Sequence, residues 1–177
     1  MNINFIPTVI LAISSLCIST VVAQEPAPSA PTKVLIGTYD SRAIAVAWAA
    51  SKFNPVGEKK KEYEAAKLAG DKSKIAELEQ WGPRQQRLLH FQGFGRVPVS
   101  DLLKPVQVEL ESLMSQKKLV AITMQCEAIS DQVQVVDVTM DLVQLFQPTQ
   151  KTIDTVKQLV TKAPISLLEL SELPADK

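Results

Sequence analysis

Leu88–Asp101 reads LLHFQGFGRVPVSD. The fold assigned to the chain turns on whether this stretch reverses one helix onto the next or shapes a ligand loop. It holds the only histidine of the chain, His90, together with Gly93, Gly95, Phe91, Phe94 and Arg96. Glycine tolerates the positive φ with which many helices end, so Gly93 and Gly95 suit a reversal. Upstream, Arg84–Phe91 continues a helical pattern through Leu88 and Leu89. Downstream, Ser100 can cap a new helix, and Asp101 suits the positive end of its dipole. Leu102, Val106, Leu110, Leu113 and Met114 then fall on one helical face. Two helices with one apolar face each, joined by a glycine-containing loop, make an antiparallel hairpin the economical arrangement.

The rival reading, a catalytic or nucleotide loop, fails on count and context. A single histidine excludes two-histidine metal sites, and any hydrolytic triad would hang on His90 alone without a G-x-S-x-G turn. Gly93–Gly95 lacks a third glycine, follows a helix rather than a strand, and has no Walker lysine. Phe91, Phe94 and Arg96 near the hairpin tip are the expected protein-binding residues. The two rings either expose apolar surface there or fold back onto Leu88, Leu89 and Val97.

Outward from this turn, Glu58–Trp81 is charged helix material with a narrow apolar stripe through Tyr63, Ala66, Leu68, Ile75, Leu78 and Trp81. Gly70 and the Gly82-Pro83 pair interrupt it, and a kink is expected near Gly82. Lys33–Tyr39 (KVLIGTY) predicts a strand and Arg42–Phe53 an alanine-rich helix. Asp40 or Ser41 serves as cap. Asp40-Ser41-Arg42 could also form a polar binding trio, but capping accounts for the first two, and Arg42 then awaits an acidic partner. Val120–Met124 and Val133–Val138 predict further strands, Asp141–Phe146 and Thr149–Leu159 helices, and Ile165–Leu170 an extended tail or edge strand. The expected class is α+β: a small strand-and-helix body with an inserted antiparallel helical hairpin over residues 58–116.

Composition narrows the function. The 177 residues are 46% hydrophobic, enough for a real core. Lys+Arg and Asp+Glu both number 19, so charge gives no reason to expect nucleic acid. Glu58–Arg87 carries eight basic and six acidic residues, whereas Val99–Lys177 carries seven and eleven, a mild asymmetry. Phe5–Ala23 is apolar and uncharged and ends in Val21-Val22-Ala23. This predicts a signal peptide over residues 1–23, favoured over a retained anchor, and hence a periplasmic or secreted protein. Residues 24–32 (QEPAPSAPT) form a Pro/Ala/Ser leader, and residues 33–170 a single domain. Cleavage leaves Cys126 as the sole cysteine, which excludes an internal disulfide and a cysteine-based zinc site. Its apolar run suits a buried small hydrophobe. No cofactor, metal or small-molecule ligand is expected.

The order of elements resembles the Skp/OmpH family of periplasmic chaperones. The resemblance is carried by a secretion signal, KVLIGTY, SRAIAVAWAA, a charged helix and its return, then VAIT, VQVVDVT and DLVQLFQPTQKTIDTVKQL. It covers Lys33–Leu159. It implies a strand body that associates as a homo-oligomer of three and a hairpin, Glu58–Met114, that surrounds unfolded outer-membrane proteins. The hairpin here is shorter than the family's, interrupted by Gly70, Gly82, Pro83 and Pro105, and nearly neutral where the family's arms are strongly basic. The expected function is therefore a non-enzymatic, chaperone-like protein binding unfolded or envelope proteins. A structural or interaction module of the envelope is the alternative, and a hydrolase using His90 the third reading.

Overall fold

The chain was analysed as a computed structural model that describes residues 33–172. The expected signal peptide and leader lie outside the described residues. Three strands, β1 (Val34–Thr38), β2 (Leu119–Thr123) and β3 (Val133–Asp137), form a sheet in the order β2-β1-β3. Both pairings are parallel. The class is thus mixed α and β. Because β2 and β3 flank β1 on opposite sides, residues 124–132 carry the chain across the sheet without a helix, where parallel crossovers usually contain one.

The sheet buries one face. Leu35, Ile122 and Val136 lean into the core, which Gly37 lets close tightly. A Cβ on Gly37 would lie 2.9 Å from Val138 Cγ2, 3.2 Å from Ile122 and 3.3 Å from Leu119. A register shift between Leu35 and Ile36 leaves Val120 unpaired. Leu119 and Ile122 consequently reach the same face despite their spacing of three, which a regular strand would forbid. The other face carries Val34 and Ile36 opposite Val133 and Val135, outside the core cluster.

Helix α1 (Ser41–Ala49) is the centre of the core: Ala43, Ile44, Ala45, Ala47 and Trp48 are all buried. Its small residues allow close approach by α3, α6 and α7. Asp40 caps it by accepting from Arg42 N at 3.0 Å, as the sequence predicts. Helix α6 (Thr139–Gln144) contributes Leu142 and Val143, and α7 (Gln150–Val160) contributes Val156. The Phe53 and Phe146 rings meet edge to face, 6.3 Å apart.

Helix α2 (Val56–Ala69) ends at Gly70, which adopts φ 70° as its left-handed cap. Asp71 then caps α3 (Lys72–Gly93) by accepting from Lys74 N at 2.9 Å. The chain therefore turns back at Gly70-Asp71, not at Gly93–Gly95 as the glycine count suggested. A Gly-Asp pair supplies both the end of one helix and the start of the next. Helix α3 runs through Gly82-Pro83 without a break in the helix and continues over Arg84–Phe91, as the sequence predicts. Proline removes one donor, and close by the Arg84 side chain donates to the Gln80 carbonyl at 3.4 Å.

The second apolar face predicted after Ser100 is present but divided. Helix α4 (Ser100–Leu103) and a 3-10 turn at Lys104–Val106 bury Leu102, Leu103 and Val106. Helix α5 (Gln107–Lys117) follows, with Leu110, Leu113 and Met114 half-buried. Pro105 sits in the 3-10 turn, where its missing N–H costs least. The last described element, α8 (Leu167–Glu172), is helical rather than the extended tail or edge strand expected. Ser166 accepts from Glu169 N at 3.1 Å and starts it.

Candidate functional site

Helices α2 and α3 pack along their lengths. Ala66 is the buried residue of α2, and Leu78 that of the first half of α3. Tyr63 Oη donates to Glu79 Oε1 at 3.0 Å, which raises the Tyr63 pKa because a neighbouring carboxylate disfavours the phenolate. Lys59 and Lys74 both reach Glu62, at 3.0 and 3.6 Å, and Lys74 also holds Glu77 at 2.8 Å. The Lys59 hydrogen bond is the main reason the Glu62 carboxyl is held below its ordinary range. Exposed pairs of this kind contribute little stability, and of the three only Lys74–Glu62 crosses between the helices.

Beside these pairs lies an apolar groove of about 260 Å³, formed by Val56 and Tyr63 of α2 with Leu78, Trp81 and Pro83 of α3. Lys59, Lys60 and Glu79 also line it. Where the chain reverses, Leu68 is 92% exposed. Sequence reading placed Tyr63, Leu68, Leu78 and Trp81 on one narrow stripe. The groove came from the fold, because Val56 and Pro83 join that stripe only when α2 turns back at Gly70. At about 1.5 Å per residue, the 14 residues of α2 make an arm of roughly 21 Å.

The residues first expected at a tip sit instead at the base of this arm. Gly95 has φ 76°, and a Cβ there would come within 3.2 Å of Pro164 and 3.5 Å of Arg42. Arg96 N closes the helix end on Phe91 O at 3.1 Å. Gln92 is fully buried, its amide donating to Asp101 Oδ1 at 2.7 Å and its carbonyl accepting from Ser41 Oγ at 2.9 Å. Phe91 remains 40% exposed, while Phe94 is half-buried with its ring 5.9 Å from that of His90. Arg96 is half-buried and near enough to Glu169 to help lower its pKa, after the larger effect of Ser166. The three residues therefore share a segment but not one exposed patch.

Asp40, Ser41 and Arg42 are each occupied. The Asp40 carboxylate takes Arg42 Nε at 3.0 Å and Arg42 Nη2 at 2.6 Å, and the guanidinium also donates to Lys162 O at 2.8 Å. The acidic partner that Arg42 awaits is Asp40, two residues away. Tyr39 Oη accepts from Val99 N at 3.4 Å, and burial, aided by the Asp101 charge, raises its pKa. Cys126 is half-buried and free. Among the described residues no group of three or more His, Cys, Asp and Glu side chains could hold a metal ion. No described helix is long and apolar enough to cross a membrane. Comparison with protein-family models, curated proteins and solved structures returns no match to the chain.

Proposed function

We propose that the chain is an exported, non-enzymatic protein of the Skp/OmpH-like kind that binds apolar segments of unfolded or envelope proteins on its helix pair. In this reading α2 and α3, which reverse at Gly70-Asp71, are the helical hairpin inserted between β1 and β2. The observation that carries the reading is the groove of Val56, Tyr63, Leu78, Trp81 and Pro83, which Lys59, Lys60 and Glu79 also line. Its apolar lining takes apolar side chains. The sheet's outer face, with Val34, Ile36, Val133 and Val135, supplies apolar surface on which bodies associate, three together by resemblance. An arm of this length touches a client rather than encloses it.

Aggregation of an unfolded outer-membrane β-barrel protein, followed by light scattering with the chain at several-fold molar excess, tests the proposal. Suppression is expected, with Trp81→Ala and Leu68→Glu weakening it and Phe91→Ala leaving it intact. Loss of protection in Phe91→Ala alone would move the contact to the Phe91, Phe94 and Arg96 segment. No protection at all would overturn the chaperone reading. Mass measurement in solution tests the association: a trimer supports it, and a monomer removes it.

A further inference from the structure

A second concavity lies outside the carboxyl ends of all three strands. We propose that it is a binding site for a small aliphatic amine cation. The cleft has a volume of about 380 Å³ and takes lining from the end of each strand: Thr38 after β1, Met124 after β2, Asp137 and Thr139 after β3. In the order β2-β1-β3, the chain leaves β1 toward one neighbour and later returns on the other side. The connections thus diverge at the carboxyl end of β1, where open parallel sheets place their ligands.

The charge of the cleft follows from which groups are already used. Arg42, next in the chain to Ser41 of its wall, has a side chain only 6% exposed and committed to Asp40 and the Lys162 carbonyl. Asp40 in turn accepts from that guanidinium and from the first turn of α1. Asp137 differs. One carboxylate oxygen accepts from Thr139 N at 2.8 Å, while the other has no hydrogen bond among the described residues, and the residue is exposed. Thr38 lines the same cleft, and its hydroxyl likewise has no hydrogen bond among the described residues.

An exposed carboxylate beside an open hydroxyl repels anions and recruits a donor-rich, positively charged group. Met124, Met140, Val160 and Pro164 add apolar wall beside Tyr39, Ser41 and Gln125, and suit a short methylene chain against polarisable thioethers. A hard metal ion fits less well, because calcium takes six to eight oxygens, and one free carboxylate with a hydroxyl falls far short.

The test is isothermal titration of the full chain with 1,4-diaminobutane as the probe. Saturable binding at one site per chain is expected, with 1,4-butanediol, its neutral counterpart, binding about tenfold more weakly or not at all. Asp137→Asn keeps an oxygen for Thr139 N and removes only the charge, so it should weaken the diamine about tenfold at unchanged melting temperature. Val160→Trp, at a partly exposed position, should fill the cleft and abolish binding. Absence of saturable diamine binding, equal binding of the diol, or full affinity in both variants would each overturn the proposal.

Discussion

The Ser41 hydroxyl donates to the Gln92 carbonyl oxygen at 2.9 Å, with both residues buried, and so ties the first turn of α1 to the last turn of α3. This bond explains why the glycine-containing segment at 93–97 cannot project. The end of α3 is stapled to the helix at the centre of the core, and Gly95 is pressed against Arg42 and Pro164. Ser41→Ala removes one of two donors to the buried Gln92 backbone carbonyl, which Gly95 N still meets at 3.1 Å. A loss of about 0.5–1.5 kcal/mol is expected in urea denaturation. Hydrogen exchange should speed up at the end of α3, and an unchanged midpoint would show that the staple contributes nothing.

Gly37 is the point of closest packing in the sheet. The Cβ of Gly37→Ala would meet Val138 at 2.9 Å, with Ile122 and Leu119 only slightly farther. Val138 and two side chains of β2 would have to shift together. The expected cost is about 1–3 kcal/mol, seen as a lower denaturation midpoint. Gly57→Ala is the control, because nothing lies within 4 Å of the added carbon, and helix propensity predicts a small gain.

The Asp40–Arg42 pair joins the start of α1 to the chain after α7 through the Lys162 carbonyl. Arg42→Ala strips donors from a carboxylate that is 21% exposed and from that carbonyl, and about 3 kcal/mol of destabilisation is expected. Arg42→Lys preserves the charge but loses the planar fork, so its cost should fall between wild type and alanine. Thermal and chemical denaturation of the three proteins in parallel checks the order. A lysine variant as stable as wild type would show that charge alone suffices.

Tyr39 makes stability depend on pH at the alkaline end. Burial, followed by the Asp101 charge, raises its folded-state pKa above the ordinary value of 10.0, whereas the unfolded chain retains that value. Above pH 10 the unfolded state therefore binds fewer protons than the folded state, and stability falls as pH rises. The contribution is fully present below the unfolded pKa and disappears as pH passes through the folded one. Tyr39→Phe should flatten this alkaline limb in denaturation curves measured between pH 9 and 12. An identical slope in the variant would assign the limb to other groups.

How much of this was legible in the residues differs from element to element. VLIGT, LVAIT and VQVVD announce strands through runs of β-branched and apolar residues, and SRAIAVAWA announces a buried helix through small residues behind an Asp cap. These signals are local: each resides in a few neighbouring side chains and in caps whose chemistry is short-ranged. The Gly70-Asp71 reversal was equally local, yet it competed with the richer glycine pattern at 93–95, and neither sequence spelled out which helix would fold back. Only the tertiary structure decided that, because the choice depends on what buries the end of α3. Ser41, Arg42 and Pro164 do so, from positions far away in the chain. The same holds for both concave sites. The groove needs Val56 beside Trp81, and the cleft needs the ends of three strands whose order β2-β1-β3 no periodicity encodes. Residue type determined the elements; long-range burial and register determined which of their surfaces meet and which remain open to a partner.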